Sequence, residues 1–132
     1  MRETDIELFN DSLERCSGRP GFLDRFYELF LASSDEVAEK FERTDFRKQT
    51  RVLKVSLYIM MMAERPESVA HMETIAKLHS RTELDIKPEL YDQWLDCLLR
   101  AVEECDPSFD MDIKIAWTRI LQRGIGLMKS GY

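Results

Sequence analysis

Few residues in this chain have the chemistry to bind a metal ion or transfer a proton. It contains two histidines, His71 and His79, and three cysteines, Cys16, Cys97 and Cys105. The cysteines are odd in number and lack C-x-x-C spacing, which argues against a zinc site or a disulfide framework. We therefore expect reduced thiols in a cytoplasmic protein. The sequence also lacks the P-loop, nucleophile-elbow, zinc-protease and dinucleotide-binding motifs.

His79 is the strongest candidate for a ligand. It ends an apolar helical stretch and precedes a polar run, so its imidazole can face a pocket. Haem iron often takes one protein ligand, a histidine on its proximal side. Because C-x-x-C-H is absent, such a haem would be haem b, held without a covalent bond. From the residues alone the alternative stays open that His79 is exposed or caps the last turn of its helix.

Composition limits the classes of protein to which the chain can belong. It has 132 residues, of which 44% are hydrophobic, and this predicts one domain over residues 1–132. The net charge of −6 argues against nucleic acid as a partner. The longest apolar run, Leu57–Ala63, is far shorter than the ~20 residues of a membrane span, and the acidic first residues lack a signal-peptide core. We therefore expect a cytoplasmic protein that does not bind membranes.

The elements that must position His79 are helices. Each of the four prolines, Pro20, Pro66, Pro88 and Pro107, precedes a stretch with apolar residues at spacings of three and four. Sustained period-two alternation is absent, so no strand is expected. The pattern predicts an all-α fold of six or seven amphipathic helices, the last opening at Asp106-Pro107-Ser108. Their unequal lengths fit a globular helical fold better than a uniform four-helix bundle.

Five sequence features occur in a characteristic order along the chain. They are Phe26-Tyr27, Phe41 fourteen residues on, Gln49 with Leu53 one turn later, His79 followed by Tyr91, and Ala116-Trp117. This order resembles the globin family, in particular the bacterial branch of flavohaemoglobins, single-domain haemoglobins and globin-coupled sensors. The resemblance covers residues 5–128. It implies a globin fold of the 3-over-3 type, with six to seven helices packed around a haem pocket.

The resemblance also implies a role for each matching residue. His79 would ligate the haem iron, and Tyr91 would stand behind it. Tyr27 and Gln49 would donate hydrogen bonds to a gas ligand on the distal side. Phe41 and Leu53 would pack on the haem plane.

Two of these roles have alternatives at the level of sequence. Tyr27 can instead be a core tyrosine whose hydroxyl reaches the surface. Gln49 can be a solvated residue at the helix start, with Lys48 or Thr50 in its place after a one-residue slip. The chain also departs from flavohaemoglobins, because their proximal glutamate has no counterpart: no acidic residue follows Asp112.

The function implied by the resemblance is reversible binding of O₂, and also of NO and CO, at a pentacoordinate haem iron. Its use would be gas sensing or the handling of O₂ and NO. NO dioxygenation would need an external reductase, so the chain is not expected to be an enzyme by itself. The implied partners are the diatomic gas and either a second copy, through the last two helices, or a separate signalling or reductase protein. The alternative is a non-haem globin-like interaction or signalling module.

Overall fold

Seven α-helices occur in residues 3–62 and 65–132, the part of the chain that the computed structural model describes. They are α1 (Glu3–Ser17), α2 (Phe22–Ser33), α3 (Asp35–Lys40), α4 (Phe46–Met61), α5 (Pro66–His79), α6 (Pro88–Cys105) and α7 (Met111–Ser130). Strands are absent from these ranges, so the all-α prediction is confirmed. Within the same ranges, no helix is both long enough and apolar enough to cross a membrane.

Local chemistry explains where most helices begin. The side chains of Ser34 and Asp45 accept hydrogen bonds from backbone N–H groups in the first turns of α3 and α4. Pro66 and Pro88 occupy the first helical positions of α5 and α6, where a proline loses no helical hydrogen bond.

The predicted start of the last helix is wrong. Asp106 follows the end of α6, and the residue that caps α7 is Asp110, whose carboxylate accepts a hydrogen bond from the Ile113 N–H at 2.9 Å. The carboxylate of Asp106 accepts hydrogen bonds from α1 instead, together with one from the nearby Ser108 N–H. A tertiary contact therefore outweighs the local signal at this position.

The longest helix, α7, supports α4 and α5, the helices that carry Gln49 and His79. It packs against α1, α4, α5 and α6. A side chain on Gly124 would place its Cβ 3.2 Å from Met60 Cγ of α4 and 3.2 Å from Met72 Cε of α5. The missing side chain therefore lets α4 and α5 approach α7 at the same point.

A buried carboxylate joins α1, α6 and α7 at another point of the core. The Ser12 hydroxyl donates to Asp106 Oδ2 at 2.6 Å, and Arg15 Nε donates to Oδ1 at 2.7 Å. Trp117 Nε1 donates in turn to the Ser12 hydroxyl oxygen at 3.0 Å. Burial raises the pKa of Asp106, but the hydrogen bonds from Arg15 and Ser12 outweigh it, so the net pKa lies below the ordinary value.

We predict that Asp106→Asn lowers the free energy of unfolding by about 2 kcal/mol at pH 7, because Arg15 loses its ionic partner. The folded-state pKa of Asp106 is depressed, so its contribution is full above the unfolded-state pKa of about 3.9 and is lost as the pH falls through the folded-state value. Urea unfolding from pH 7 to pH 2.5 should therefore show the difference between wild type and variant shrinking below about pH 4. Asp112→Asn, an exposed aspartate of α7, is the control. A difference that stays constant with pH would contradict the prediction.

Candidate functional site

The imidazole of His79 is held by a tyrosine on the next helix. His79 is the last residue of α5, and Tyr91 lies one turn into α6. His79 Nδ1 is 3.1 Å from the Tyr91 hydroxyl. In the tautomer whose Nε2 carries the lone pair, Nδ1–H donates to the hydroxyl oxygen. That tautomer leaves Nε2 ready to ligate a metal ion.

Burial determines the protonation state of both groups. His79 is half-buried, and desolvation lowers its pKa, so the imidazole is neutral at pH 7. Burial raises the pKa of Tyr91 to about 12, so its hydroxyl keeps its proton. A neutral imidazole is the form that binds metal ions.

The loop that follows His79 forms hydrogen bonds with Tyr132, which follows the end of α7. The Ile86 N–H donates to the His79 carbonyl at 3.0 Å, and Asp85 has a positive φ of 52°. The Tyr132 hydroxyl donates to the carboxylate of Asp85. Arg81 Nε donates to the Tyr132 carbonyl at 3.3 Å, and its guanidinium lies 5.2 Å from the centre of the Tyr132 ring. These contacts fix the backbone on the C-terminal side of His79.

A second part of the site is an aromatic cluster formed by residues of α2 and α4 and by Phe41, which directly follows α3. The Tyr27 ring centre lies 5.7 Å from that of Phe41 and 5.2 Å from that of Phe46. Phe30 lies 5.9 Å from Phe41. Tyr27 is buried, whereas Phe41 and Phe46 are half-buried, so these two rings keep apolar surface facing outward from the core.

The side chain of Gln49 lies near the Tyr27 hydroxyl. Burial raises the pKa of Tyr27 to about 12, and a side-chain hydrogen bond with Gln49 partly offsets this rise. Gln49 is half-buried in the first turns of α4, and Leu53 follows it by four residues on the same face, where it is buried. The structure thus places Gln49 at Tyr27, while Lys48 is exposed.

Large apolar side chains next to these polar groups remain exposed. Val52, Leu78 and Leu84 are 50%, 52% and 50% exposed. Leu78 immediately precedes His79, Leu84 lies in the loop after it, and Val52 follows Gln49 by three residues. Covering a leucine of this kind with apolar surface contributes roughly 1.5–3 kcal/mol. These residues therefore offer apolar surface that an apolar group such as haem could cover.

Comparison with known proteins places the chain in a family. No family model matches it, and no curated protein matches it. Among solved structures it is similar to the Pseudomonas aeruginosa PAO1 protein PA3967, described as structurally highly homologous to a human haemoglobin. The two are 40% identical, the match covers 97% of this chain and 98% of that one, and the TM-score is 0.93. The chain belongs to the globin family. The resemblance to bacterial globins and the predicted globin fold are thereby confirmed.

The globin brings its predicted site residues together in two groups. One is His79 with Tyr91, and the other is Tyr27 with Gln49 and Phe41. Leu53 lies in the core on the inner face of α4. The other histidine, His71, is exposed.

Sequence reasoning missed two residues near the globin site. Phe46 touches Tyr27 and Phe41, and its position three residues before Gln49 on one helical face could have indicated this. Leu84 is exposed in the loop after His79. A loop has no periodic pattern from which its position could be predicted. Leu78 keeps the apolar spacing of its helix but is half exposed.

We predict that Tyr91→Phe in the globin changes the tautomer balance of His79, because Nδ1 loses the hydroxyl that it contacts. The ¹⁵N chemical shifts of the imidazole, measured by NMR near pH 7.5, report this balance. The free energy of unfolding should fall by about 1 kcal/mol. Tyr58→Phe, at a half-buried tyrosine of α4, should leave the His79 shifts unchanged. Identical His79 shifts in wild type and Tyr91→Phe would show that the contact does not orient the ring.

Proposed function

We propose that this globin binds haem b non-covalently and uses it to bind a diatomic gas, O₂, NO or CO, reversibly. One observation carries the proposal: Nδ1 of the half-buried His79 lies 3.1 Å from the Tyr91 hydroxyl, a contact that would orient the ring and leave Nε2 as the ligand. The outer partner of a metal-bound histidine fixes its tautomer and its direction in this way. The half-exposed apolar side chains beside His79 support the same conclusion.

The residues that would hold the group have distinct tasks. His79 would supply the axial nitrogen, and Phe41 and Leu53 would supply apolar contacts to the ring plane. Ferrous haem provides an iron that binds a diatomic gas reversibly. The remaining chemistry of the site belongs to the side chains of the protein.

Tyr27 and Gln49 would act as hydrogen-bond donors toward the gas. With a pKa of about 12, the Tyr27 hydroxyl stays protonated at physiological pH and can donate. Because its hydrogen bond lowers the pKa of Tyr27, Gln49 would donate one amide N–H to the Tyr27 hydroxyl oxygen, which leaves the Tyr27 proton and the second Gln49 N–H free to donate. A gas ligand that bears partial negative charge would be retained by both groups.

The proximal side favours binding and release of a gas over its chemical conversion. The Tyr91 hydroxyl forms its hydrogen bond with His79. Among the residues that the structure describes, no carboxylate forms a hydrogen bond with either of these two side chains. A carboxylate behind the histidine would make it more electron-donating. We therefore assign gas sensing or O₂ and NO handling to this globin. Turnover as an NO dioxygenase would require an external reductase.

The decisive experiment titrates the purified protein with haem and records its ultraviolet–visible spectrum. Wild type should develop a strong Soret band that shifts after dithionite and again after carbon monoxide. His79→Ala should weaken haem binding by more than about a hundredfold, because altering a residue that only orients a metal ligand already costs about 10- to 100-fold. His71→Ala replaces the other histidine, which is exposed, and should behave like wild type.

Two results would overturn the proposal. One is a wild-type protein that stays colourless with excess haem, which would favour the non-haem interaction module. The other is a Soret band of equal intensity and affinity in wild type and His79→Ala, which would assign the ligand to another residue.

Tyr27→Phe tests the distal side. Loss of one hydrogen bond, about 1.4 kcal/mol, should speed O₂ release about tenfold. Flash photolysis or stopped-flow mixing of the haem-loaded protein measures this rate. Tyr58→Phe is the matched control. An O₂ release rate unchanged by Tyr27→Phe would show that Tyr27 does not donate a hydrogen bond to the bound gas.

A further inference from the structure

The outward face of α4 carries a concentration of positive charge. Its four cations are all exposed: Arg47, Lys48, Arg51 and Lys54. Residues 46–62 contain no aspartate or glutamate, although the chain as a whole has a net charge of −6. We name these four residues the basic face. The charge of the basic face is therefore opposite in sign to the net charge of the chain.

The basic face lacks partners among the described residues. Several cations elsewhere are paired: Arg25 bonds to Glu104 at 3.0 Å, and Lys129 bonds to Asp92 at 3.0 Å. Within residues 3–62 and 65–132, none of the four cations forms an ion pair or a side-chain hydrogen bond. The carboxylate of Asp45 bonds to backbone N–H groups at the start of α4. Asp24 lines the same surface groove as Lys54 without an ion pair.

Apolar side chains extend the basic face along the helix. Val55 and Met62 are 57% and 40% exposed, and with Arg51 they follow one line of α4 at spacings of four and seven residues. Leu53 and Leu57 on the opposite side of the helix are buried. Arginine and methionine with exposed apolar surface are typical of protein interfaces.

We propose that the basic face of α4, extended by Val55 and Met62, binds an acidic surface of a different protein. Two copies of this chain related by a two-fold axis through the face would bring like charges together, which disfavours a symmetric dimer there. Helices that lie in a membrane surface expose tryptophan, phenylalanine or leucine, and the exposed apolar residues here are a valine and a methionine.

The size of the face indicates a transient complex. Sixteen helical residues span about 24 Å, and a face about 10 Å wide offers a few hundred Å². Stable interfaces bury about 800 Å² on each partner. Electrostatic steering would therefore dominate association, and binding would weaken as salt rises. The same helix carries Gln49 and Leu53 on its other side, so a bound partner would rest directly on a wall of the candidate site.

The test begins with the intact protein in the cells that produce it. Val55 is replaced by photoreactive benzoylphenylalanine, and Met111, 64% exposed on α7, is replaced in the same way as the control position. A protein that is crosslinked at 55 and not at 111 is identified by mass spectrometry and purified. Its dissociation constant is then measured with wild type, with Arg47→Gln/Arg51→Gln and with Arg100→Gln/Lys114→Gln, whose sites are exposed on α6 and α7.

The expected result is an acidic partner whose affinity falls about tenfold with the α4 double variant and by less than about twofold with the control variant. Raising the salt concentration should weaken wild-type binding. Three results would overturn the proposal: no protein adduct specific to position 55, an adduct formed with a second copy of this chain, or a partner bound equally well by both double variants. Binding of phosphatidylserine vesicles that disappears in Arg47→Gln/Arg51→Gln would show that the basic face binds a membrane and not a protein. None of these readouts depends on haem, so they separate this proposal from the proposed function.

Discussion

The buried carboxylate of Asp106 is the constraint on which the arrangement of helices depends. A charge inside a protein costs several kcal/mol unless ion pairing and hydrogen bonds compensate it. Asp106 obtains both from α1, through Ser12 and Arg15, while Ser12 also accepts from Trp117 of α7. Three helices must therefore meet at one point. That meeting point anchors α6, which carries Tyr91, and α7, against which α4 and α5 pack.

The candidate site consists of two polar pairs on separate elements. In each pair a buried tyrosine contacts a side chain from another helix: Tyr91 contacts His79, and Tyr27 contacts Gln49. Burial holds both tyrosines in the protonated form. Because α4 and α5 both approach α7 at Gly124, one close contact sets the positions of the helices that bear Gln49 and His79.

Helix α4 has two faces with different chemistry. Its inner face contributes Gln49 and Leu53 to the candidate site, and its outer face carries Arg51 and three further cations. A partner seated on the outer face would contact the same helix that carries Gln49 and Leu53. The proposed gas site and the proposed partner surface would therefore share one structural element, which suits a sensor or an externally reduced globin better than a passive store.

The sequence by itself determined most of the local structure. Pro66 and Pro88 predicted the starts of α5 and α6, because a fixed φ value acts within one turn. The order of residues also predicted the globin fold, which the 40% identical structure confirms. Only the tertiary structure decided contacts between residues far apart in the chain. Asp106 accepts hydrogen bonds from Ser12 and Arg15 and does not cap α7. Such contacts depend on how helices cross in space, and neither composition nor periodicity records that crossing.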